Sequence, residues 1–214
     1  MKYVPEQLRD FSATPQLRNH AVILDQLDPR HLDDLVQAVK VGDLWKRWYA
    51  PVPAPEAMVE EIDRRLAEQR DGVSAPWVML LPQTGQAVGM TSFHTLDPVN
   101  LRLEIGRTWF AANLHGSGLN AAAKLLQLTR AFEVLGVHAV ELRANWYNRE
   151  SRLAIERLGA KQDGVLRKHK VQADGTVRDT VIYSITDDEW PAVKLSLLDR
   201  VCRQYGPGVL EPAV

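Results

Sequence analysis

A strand that leads through a glycine-rich turn into a helix lies near the middle of the chain and constrains the fold more than any other feature. β-branched and aromatic residues between Leu103 and Phe110 predict the strand. After Gly118, apolar residues recur at helical spacing as far as Leu135. Glycines let the backbone approach a ligand closely, and the first N–H groups of a helix attract phosphate groups. The stretch therefore predicts an anion-binding cradle.

Three known arrangements of glycines compete for this cradle. A Walker loop requires Lys and then Ser or Thr after its last glycine, whereas Leu and Asn follow Gly118, so that arrangement is excluded. The dinucleotide fingerprint is formally matched by Gly116, Gly118 and Ala121, with Glu141 roughly twenty residues further on. The motif lies near mid-chain, however, and the chain after residue 164 predicts an antiparallel hairpin instead of further strand-helix-strand units. An NAD-dependent oxidoreductase therefore stays as a minor alternative.

The third arrangement is the coenzyme A loop of the GNAT acyltransferase superfamily, which the stretch from His115 to Asn120 resembles with Gly118 at the central glycine. His115 stands where the family has Arg or Gln, and Asn120 stands where it has Gly or Ala. A second segment, residues 148–160, resembles the family's helix that begins with Asn-x-x-Ser and ends with Leu-Gly. The closing segment, residues 164–190, is similar to the Rim-type branch, which contains the N-terminal acetyltransferases of ribosomal proteins.

The resemblance implies an α/β (α+β) GNAT fold, with a mixed, mostly antiparallel sheet, a central splayed pair of parallel strands and flanking helices. We expect one domain over residues 1–214, with an N-terminal arm at 1–15 and a C-terminal helical tail at 187–214. A chain of 214 residues, 45% of them hydrophobic, fits one domain.

Composition also bears on partners and location. The net charge of -1 gives no global case for binding nucleic acid, and no apolar run approaches the length of a membrane span. The single cysteine, Cys202, fits a reducing compartment. We expect a cytoplasmic protein without nucleic-acid or membrane partners, and family behaviour favours a homodimer.

The resemblance implies acetyl-CoA as the cofactor. Backbone groups of the cradle would hold the pyrophosphate, the end of the preceding strand would pair with the pantetheine arm, and the second motif would contact the thioester end or the phosphates. The predicted cofactor-binding residues are Trp109, Phe110, Ala111, His115, Gly116, Ser117, Gly118, Leu119, Asn120, Ala121, Asn148, Arg149 and Arg152. For the two arginines, plain surface charge is the alternative interpretation.

Direct attack of an amine on the thioester needs no protein nucleophile and no metal, but it needs a base and a proton donor. The family resemblance points to Glu104 as the base and to Ser151 as the donor of a proton to the thiolate, with Tyr183 as a second candidate. An α-amine, with a reference pKa of about 8, demands a weaker base than a lysine amine near 10.4. A non-catalytic coenzyme A sensor is the rival class. Loss of both Glu104 and Ser151 would favour it, and both are present.

Aromatic residues cluster in one stretch that the family resemblance sets beside the acceptor site. Trp45, Trp48 and Tyr49 precede a proline-rich break and predict either a corner of the core or one wall of a pocket. We assign them, together with Phe93, to a pocket for the amine acceptor. That acceptor is either a peptide N-terminus or a small molecule.

Overall fold

One eight-stranded sheet organises the chain, in the order β1-β2-β3-β4-β5-β6-β8-β7. The structure is a computed structural model that describes residues 10–172 and 174–206. The strands are β1 (Leu17–Arg18), β2 (Ile23–Gln26), β3 (Ser74–Leu80), β4 (Ala87–Asp97), β5 (Arg102–Phe110), β6 (Ala139–Asn145), β7 (Lys161–Val171) and β8 (Val177–Thr186). Neighbouring strands are antiparallel except β5 and β6, which are parallel and joined through a helix.

Helices cover both faces of the sheet. They are α1 (Leu32–Lys40), α2 (Met58–Arg70), α3 (Leu119–Thr129), α4 (Arg149–Glu156) and α5 (Trp190–Tyr205). Helices α1 and α2 cover β3 and β4 on one face, while α3 and α5 pack together on the other. Short 3-10 turns precede α1 and α2, and α3 continues as one π-helical turn, Arg130–Val134.

Strand β3 shows why the sheet has a core on each side. All seven of its residues are buried, because helices lie on both faces of this part of the sheet. Trp77 and Met79 join the larger apolar cluster beneath α3 and α5, whereas Val78 and Leu80 join the smaller one beneath α1 and α2. Side chains alternate between the two faces of a strand, so one continuous apolar run serves both cores.

The parallel strands β5 and β6 diverge after a short contact. Their register pairs only Arg102 with Ala139, Leu103 with Val140 and Glu104 with Glu141. Beyond these pairs β5 continues to Phe110 alongside β4, and β6 continues to Asn145 alongside β8. The result is a wedge-shaped gap in the middle of the sheet, and the predicted splayed parallel pair is confirmed.

The predicted N-terminal arm and C-terminal tail lie only partly within the described residues. Most of the predicted arm, residues 1–9, and the end of the predicted tail, residues 207–214, lie outside the described residues. Phe11 is buried in the larger core, and α5 begins at Trp190, whose ring stacks on Phe132 with centroids 5.3 Å apart. Among the helices that the structure describes, none has the length and apolar composition required to cross a bilayer.

Candidate active site

The glycine turn presents free N–H groups at the start of α3. Gly118 is the residue before the helix and has φ +87°, a left-handed conformation that favours glycine. The Leu119 N–H is 3.3 Å from Ser117 Oγ, which caps it. Within residues 10–172 and 174–206, the N–H groups of Asn120 and Ala121 have no acceptor. Two free donors at the positive end of an 11-residue helix fit a pyrophosphate.

The C-terminal helix packs against the same turn. A Cβ added to Gly118 would lie 2.8 Å from Gln204 Cγ and 3.1 Å from Tyr205 Cε2, both at the end of α5. A Cβ added to Gly116, by contrast, would meet nothing within 4 Å. Gly118 is therefore required both by its backbone conformation and by the close approach of α5, and the second requirement is invisible in the local sequence.

Of the three residues predicted to pair with a pantetheine arm, Phe110 is the one whose backbone faces the gap. The Ala111 N–H donates to Val88 O at 2.9 Å, so its backbone points toward β4. Because successive residues of a strand alternate, Trp109 points the same way as Ala111, and Phe110 points toward β6. The Phe110 carbonyl lies 3.2 Å from Nε2 of His115, whose ring also packs edge-on against Phe110. His115 therefore packs against the end of β5, within the same turn.

The second motif lies at the open end of the gap, where α4 begins after β6. The Asn148 side chain caps α4, since its Oδ1 accepts the Ser151 N–H at 3.0 Å. The Ser151 hydroxyl is half-buried and has no hydrogen-bond partner within the described residues. Arg149 is exposed beside them. A free hydroxyl and the unused amide N–H groups of Asn148 are available here to a ligand.

Arg152 of the second motif and Tyr183 of β8, the remaining two candidates, are hydrogen-bonded to each other. Arg152 Nε donates to Tyr183 Oη at 3.2 Å, its Nη1 donates to Trp146 O, and its guanidinium lies over the Trp146 ring. The Tyr183 hydroxyl donates to Glu156 Oε1 at 2.8 Å, and burial raises the pKa of Tyr183. The Tyr183 proton is already donated to a carboxylate, so it is less available to a ligand than the proton of the Ser151 hydroxyl, which has no partner among the described residues.

Glu104 lies at the point where β5 and β6 separate. Its side chain is 9% exposed, and Arg143 Nε is 3.3 Å from Oε2, with Thr95 Oγ1 at 3.5 Å from the same oxygen. Burial raises the pKa of Glu104, which the charge of Arg143 opposes. Arg143 also pairs with Glu141 at 2.9 Å. A buried carboxyl with a raised pKa is suited to accept a proton near neutral pH.

His94 is a site residue that the sequence interpretation missed. It faces Glu104 across β4 and β5, with Nε2 3.5 Å from Oε1, and its ring lies over Gly106, where any Cβ would be 2.4 Å from Nε2. Burial lowers the pKa of His94 to about 3, with Arg107 adding to the effect, so the imidazole is neutral at working pH. Two sequence features indicate this position of His94. Ser92 and His94 lie on the same face of β4, and Gly106 lies opposite Ser92 on β5.

A β-bulge in β5 follows Gly106 and is held from both faces of the sheet. The register shifts between Met90 and Ser92, and Arg107 takes φ +50°. From α2, the buried Arg65 donates to Arg107 O at 3.0 Å. From α3, the buried Lys124 donates to Thr108 Oγ1 at 3.0 Å. Two buried cations therefore fix the strand beside the splayed gap.

Lys124 is buried without an acidic partner among the described residues. Its ammonium donates to the oxygens of Gln127, Thr108 and Thr91 at 2.7, 3.0 and 3.1 Å. Burial lowers the pKa of Lys124 from 10.5 to about 7. The lysine thus joins α3, β4 and β5 through neutral oxygens at the cost of desolvating its charge.

A cleft of about 330 Å³ opens beside Glu104, in the size range of sites for small groups. It is lined by Glu68, Gly72, Val73, His94, Thr95, Leu96 and Arg107. His94 and Thr95 belong both to the cleft and to the contacts of Glu104. Arg107 and Glu68 form an ion pair across its rim. The cleft therefore adjoins Glu104 through His94 and Thr95, while Glu104 itself is not one of its lining residues.

The aromatic residues assigned to the acceptor pocket lie outside the cleft beside Glu104. Phe93 is a correction: it is fully buried and packs edge-on against Trp77, because alternation along β4 points His94, and not Phe93, into the cleft. Trp48 is 53% exposed and contacts Tyr49 and Tyr147, with ring centroids 5.7 and 5.5 Å apart.

The loop between α1 and α2 therefore stands against the loop between β6 and α4. Arg47 reinforces this contact through an ion pair with Glu150 at 2.5 Å. Trp45 is half-buried against the smaller core. Trp45, Trp48 and Tyr49 are not among the residues that line the cleft.

Comparisons with known proteins agree with this geometry. A family model described as an acetyltransferase (GNAT) domain matches residues 21–161. The putative ribosomal N-acetyltransferase YdaF of Bacillus subtilis is 37% identical over 110 residues, which are 51% of this chain and 59% of YdaF, so the match spans less than two thirds of that relative.

Two solved structures extend the comparison over most of the chain. A GCN5-related N-acetyltransferase from Brucella melitensis has a TM-score of 0.79 at 27% identity, covering 88% of this chain and 86% of its own. RimJ of Mycobacterium smegmatis, solved with CoA-disulfide, has a TM-score of 0.72 at 23% identity, covering 86% and 92%. The predicted GNAT fold is confirmed.

Proposed function

The chain belongs to the GNAT acetyltransferase family, and we propose that it transfers the acetyl group of acetyl-CoA to a primary amine that enters through the cleft beside Glu104. Acetyl-CoA is the cofactor of this family, and the free N–H groups at the start of α3 fit its pyrophosphate. Neither the NAD-dependent reaction nor a non-catalytic sensor is favoured. The observation that carries the proposal is a buried carboxylate at the base of the splayed gap, in contact with two residues that line a cleft.

The roles of the side chains follow from their surroundings. When bound, acetyl-CoA supplies a thioester whose carbonyl carbon accepts the amine. Glu104 takes the amine proton, directly or through a water molecule, while the neutral His94 and Thr95 orient the carboxylate. Ser151 donates a proton to the departing sulfur, since its hydroxyl is free. A carbon–nitrogen bond forms and the carbon–sulfur bond breaks, and the proton held by Glu104 returns through solvent to Ser151, so neither a metal nor a protein nucleophile is required.

The acceptor is a protein or peptide N-terminus in this proposal. An α-amine with a reference pKa of about 8 is partly neutral at working pH, so a carboxylate is a sufficient base. Similarity to YdaF and RimJ supports this acceptor class. A cytoplasmic location, which the single half-exposed Cys202 supports, and a homodimer belong to the same proposal.

Release of free thiol from acetyl-CoA, measured with peptides, polyamines, amino acids and aminoglycosides, tests the function. We expect release with peptide N-termini, and mass spectrometry of the products should find one added acetyl group on the α-amine. Coenzyme A should also raise the melting temperature, while NAD should not, because a ligand that binds the folded state stabilises it. Protection by NAD alone, or acetylation confined to small amines, would contradict the proposal.

A further inference from the structure

Two cations on the β7–β8 hairpin lie on the same face of the sheet as Glu104. Lys170 and Arg178 are directly opposite each other in the antiparallel register. Like charges in that position destabilise a sheet. Neither forms an ion pair with an acidic residue in the described part of the chain, whereas the neighbouring Arg167 pairs with Asp179 at 2.8 Å. The hairpin thus carries two unneutralised charges at one point.

The strand registers place these cations on the same face of the sheet as the carboxylate. Glu104 pairs with Glu141 and Glu141 with Ser184, and Arg178 lies an even number of residues from Ser184 on β8. The register of β7 and β8 shifts between Leu166 and Lys170, and Lys168 takes φ +50°. Such a bulge bends the strand. Burial lowers the pKa of Arg178, and the charge of Glu104 opposes that shift. Lys170 in turn favours the ionised form of Glu104, whose pKa burial raises. Lys170 also acts on His94, which lines the cleft.

Arg178 is held in place by neutral groups alone. Its Nε donates to Thr180 Oγ1 at 3.1 Å, and the same hydroxyl lies 3.0 Å from His169 Nδ1. Thr180 is fully buried, so the anchor is rigid. Arg178 itself is half-buried and keeps its remaining N–H groups for another partner. The fork of a guanidinium matches a carboxylate in geometry.

We infer that Lys170 and Arg178 bind a carboxylate of the acceptor, close to the amine that Glu104 deprotonates. The inference rests on the proposed function and narrows its substrate class to amines with a nearby carboxylate. In a peptide acceptor that group is the side chain of an acidic second residue. The α-carboxylate of a free amino acid is the other source, and a preference for it would keep the anion site while replacing the peptide acceptor of the proposed function. A net attraction for anions also offsets the repulsion between an anionic acceptor and Glu104.

Matched acceptors separate these sources. We would compare kcat/KM for amidated peptides that begin Ser-Asp and Ser-Asn, and for serine against serinamide, at low and physiological salt. We expect the carboxylate-bearing member of one pair to be preferred by about tenfold, because two charge-assisted hydrogen bonds are added, with a smaller preference at high salt. Preference within the peptide pair identifies the side chain, and preference within the serine pair identifies the α-carboxylate.

Variants connect the preference to the two cations. Lys170→Glu is exposed, so it should fold normally, and it should abolish or reverse the preference while leaving acetyl-CoA affinity unchanged. Arg178→Gln should remove most of it. Arg167→Gln is the matched control, since this cation lies on the same strand and is paired, and the preference should remain.

The outcomes distinguish this inference from the proposed function. Equal kcat/KM within both pairs would overturn the anion site and leave acetyl transfer intact. Transfer to no acceptor, with coenzyme A still bound, would overturn the proposed function. In that case calorimetric titration of the Ser-Asp and Ser-Asn peptides into the coenzyme A complex still decides the anion site, and equal affinities would overturn it.

Discussion

Replacing Glu104 by glutamine removes the proposed base while changing little else. The two side chains have the same shape, and Arg143 keeps its ion pair with Glu141. We therefore expect the free energy of unfolding to change by no more than about 1 kcal/mol. Turnover, in contrast, should fall about 100- to 1000-fold at pH 7, since general base catalysis contributes that much, equivalent to about 3–4 kcal/mol in the activation barrier.

The pH dependence of the loss separates a base from a structural residue. In the wild type, activity is lost at acid pH as Glu104 is protonated, and its raised pKa moves that loss toward neutrality. The Glu104→Gln variant lacks this group and depends on the neutral fraction of the amine, which rises from about a tenth at pH 7 to about nine tenths at pH 9 for an amine of pKa near 8. The ratio of wild-type to variant turnover should therefore decrease by up to about tenfold between pH 7 and pH 9.

Stopped assays of acetyl-peptide formation from pH 5.5 to 9 measure both effects, and the affinity for acetyl-CoA should stay nearly unchanged. Glu141→Gln is the control, because Glu141 is the register partner of Glu104 and shares the partly buried Arg143 with it, while its other partner, Arg102, is exposed. Its turnover should stay within about fivefold of the wild type. Unchanged turnover of Glu104→Gln at every pH would remove Glu104 from the mechanism.

Three further predictions concern the proton donor, the cradle and the buried lysine. Ser151→Ala should lower kcat more than Tyr183→Phe, because the Tyr183 proton is already donated to a carboxylate; the opposite order in steady-state kinetics would exchange their roles. Gly118→Val should abolish coenzyme A binding in calorimetry, since its left-handed φ and the contact with α5 both oppose a side chain, whereas Gly116→Ala should cost only about 1–2 kcal/mol of backbone strain. The free energy of unfolding, measured by chemical denaturation, should rise with increasing pH in the wild type but not in Lys124→Met. The unfolded chain keeps the lysine proton up to about pH 10.5 and the folded chain only up to about 7, so wild-type stability rises across that window by up to about 5 kcal/mol, and parallel curves for the two proteins would refute the buried charge.

The sequence alone determined the features that depend on residues close together in the chain. The glycine turn, the helix that follows it and the Asn-x-x-Ser cap of α4 are local, because turn conformation and helix capping are set within a few residues. β-branched and aromatic residues likewise predicted the strand that leads into the turn, and the order of the two motifs indicated the family. Glu104 was found because it lies on the strand that leads into the turn.

Only the tertiary structure decided what surrounds that carboxylate. His94 and Arg143 contact Glu104 from two other strands, and their positions depend on strand order and register. The sequence interpretation assigned Phe93 to the pocket because the sequence does not specify which face of β4 each residue occupies. A shift of one residue exchanges the two faces of a strand. The packing of α5 on Gly118 likewise joins segments more than eighty residues apart. Contacts of this kind follow from how the whole chain packs, because no local preference specifies which distant residues meet.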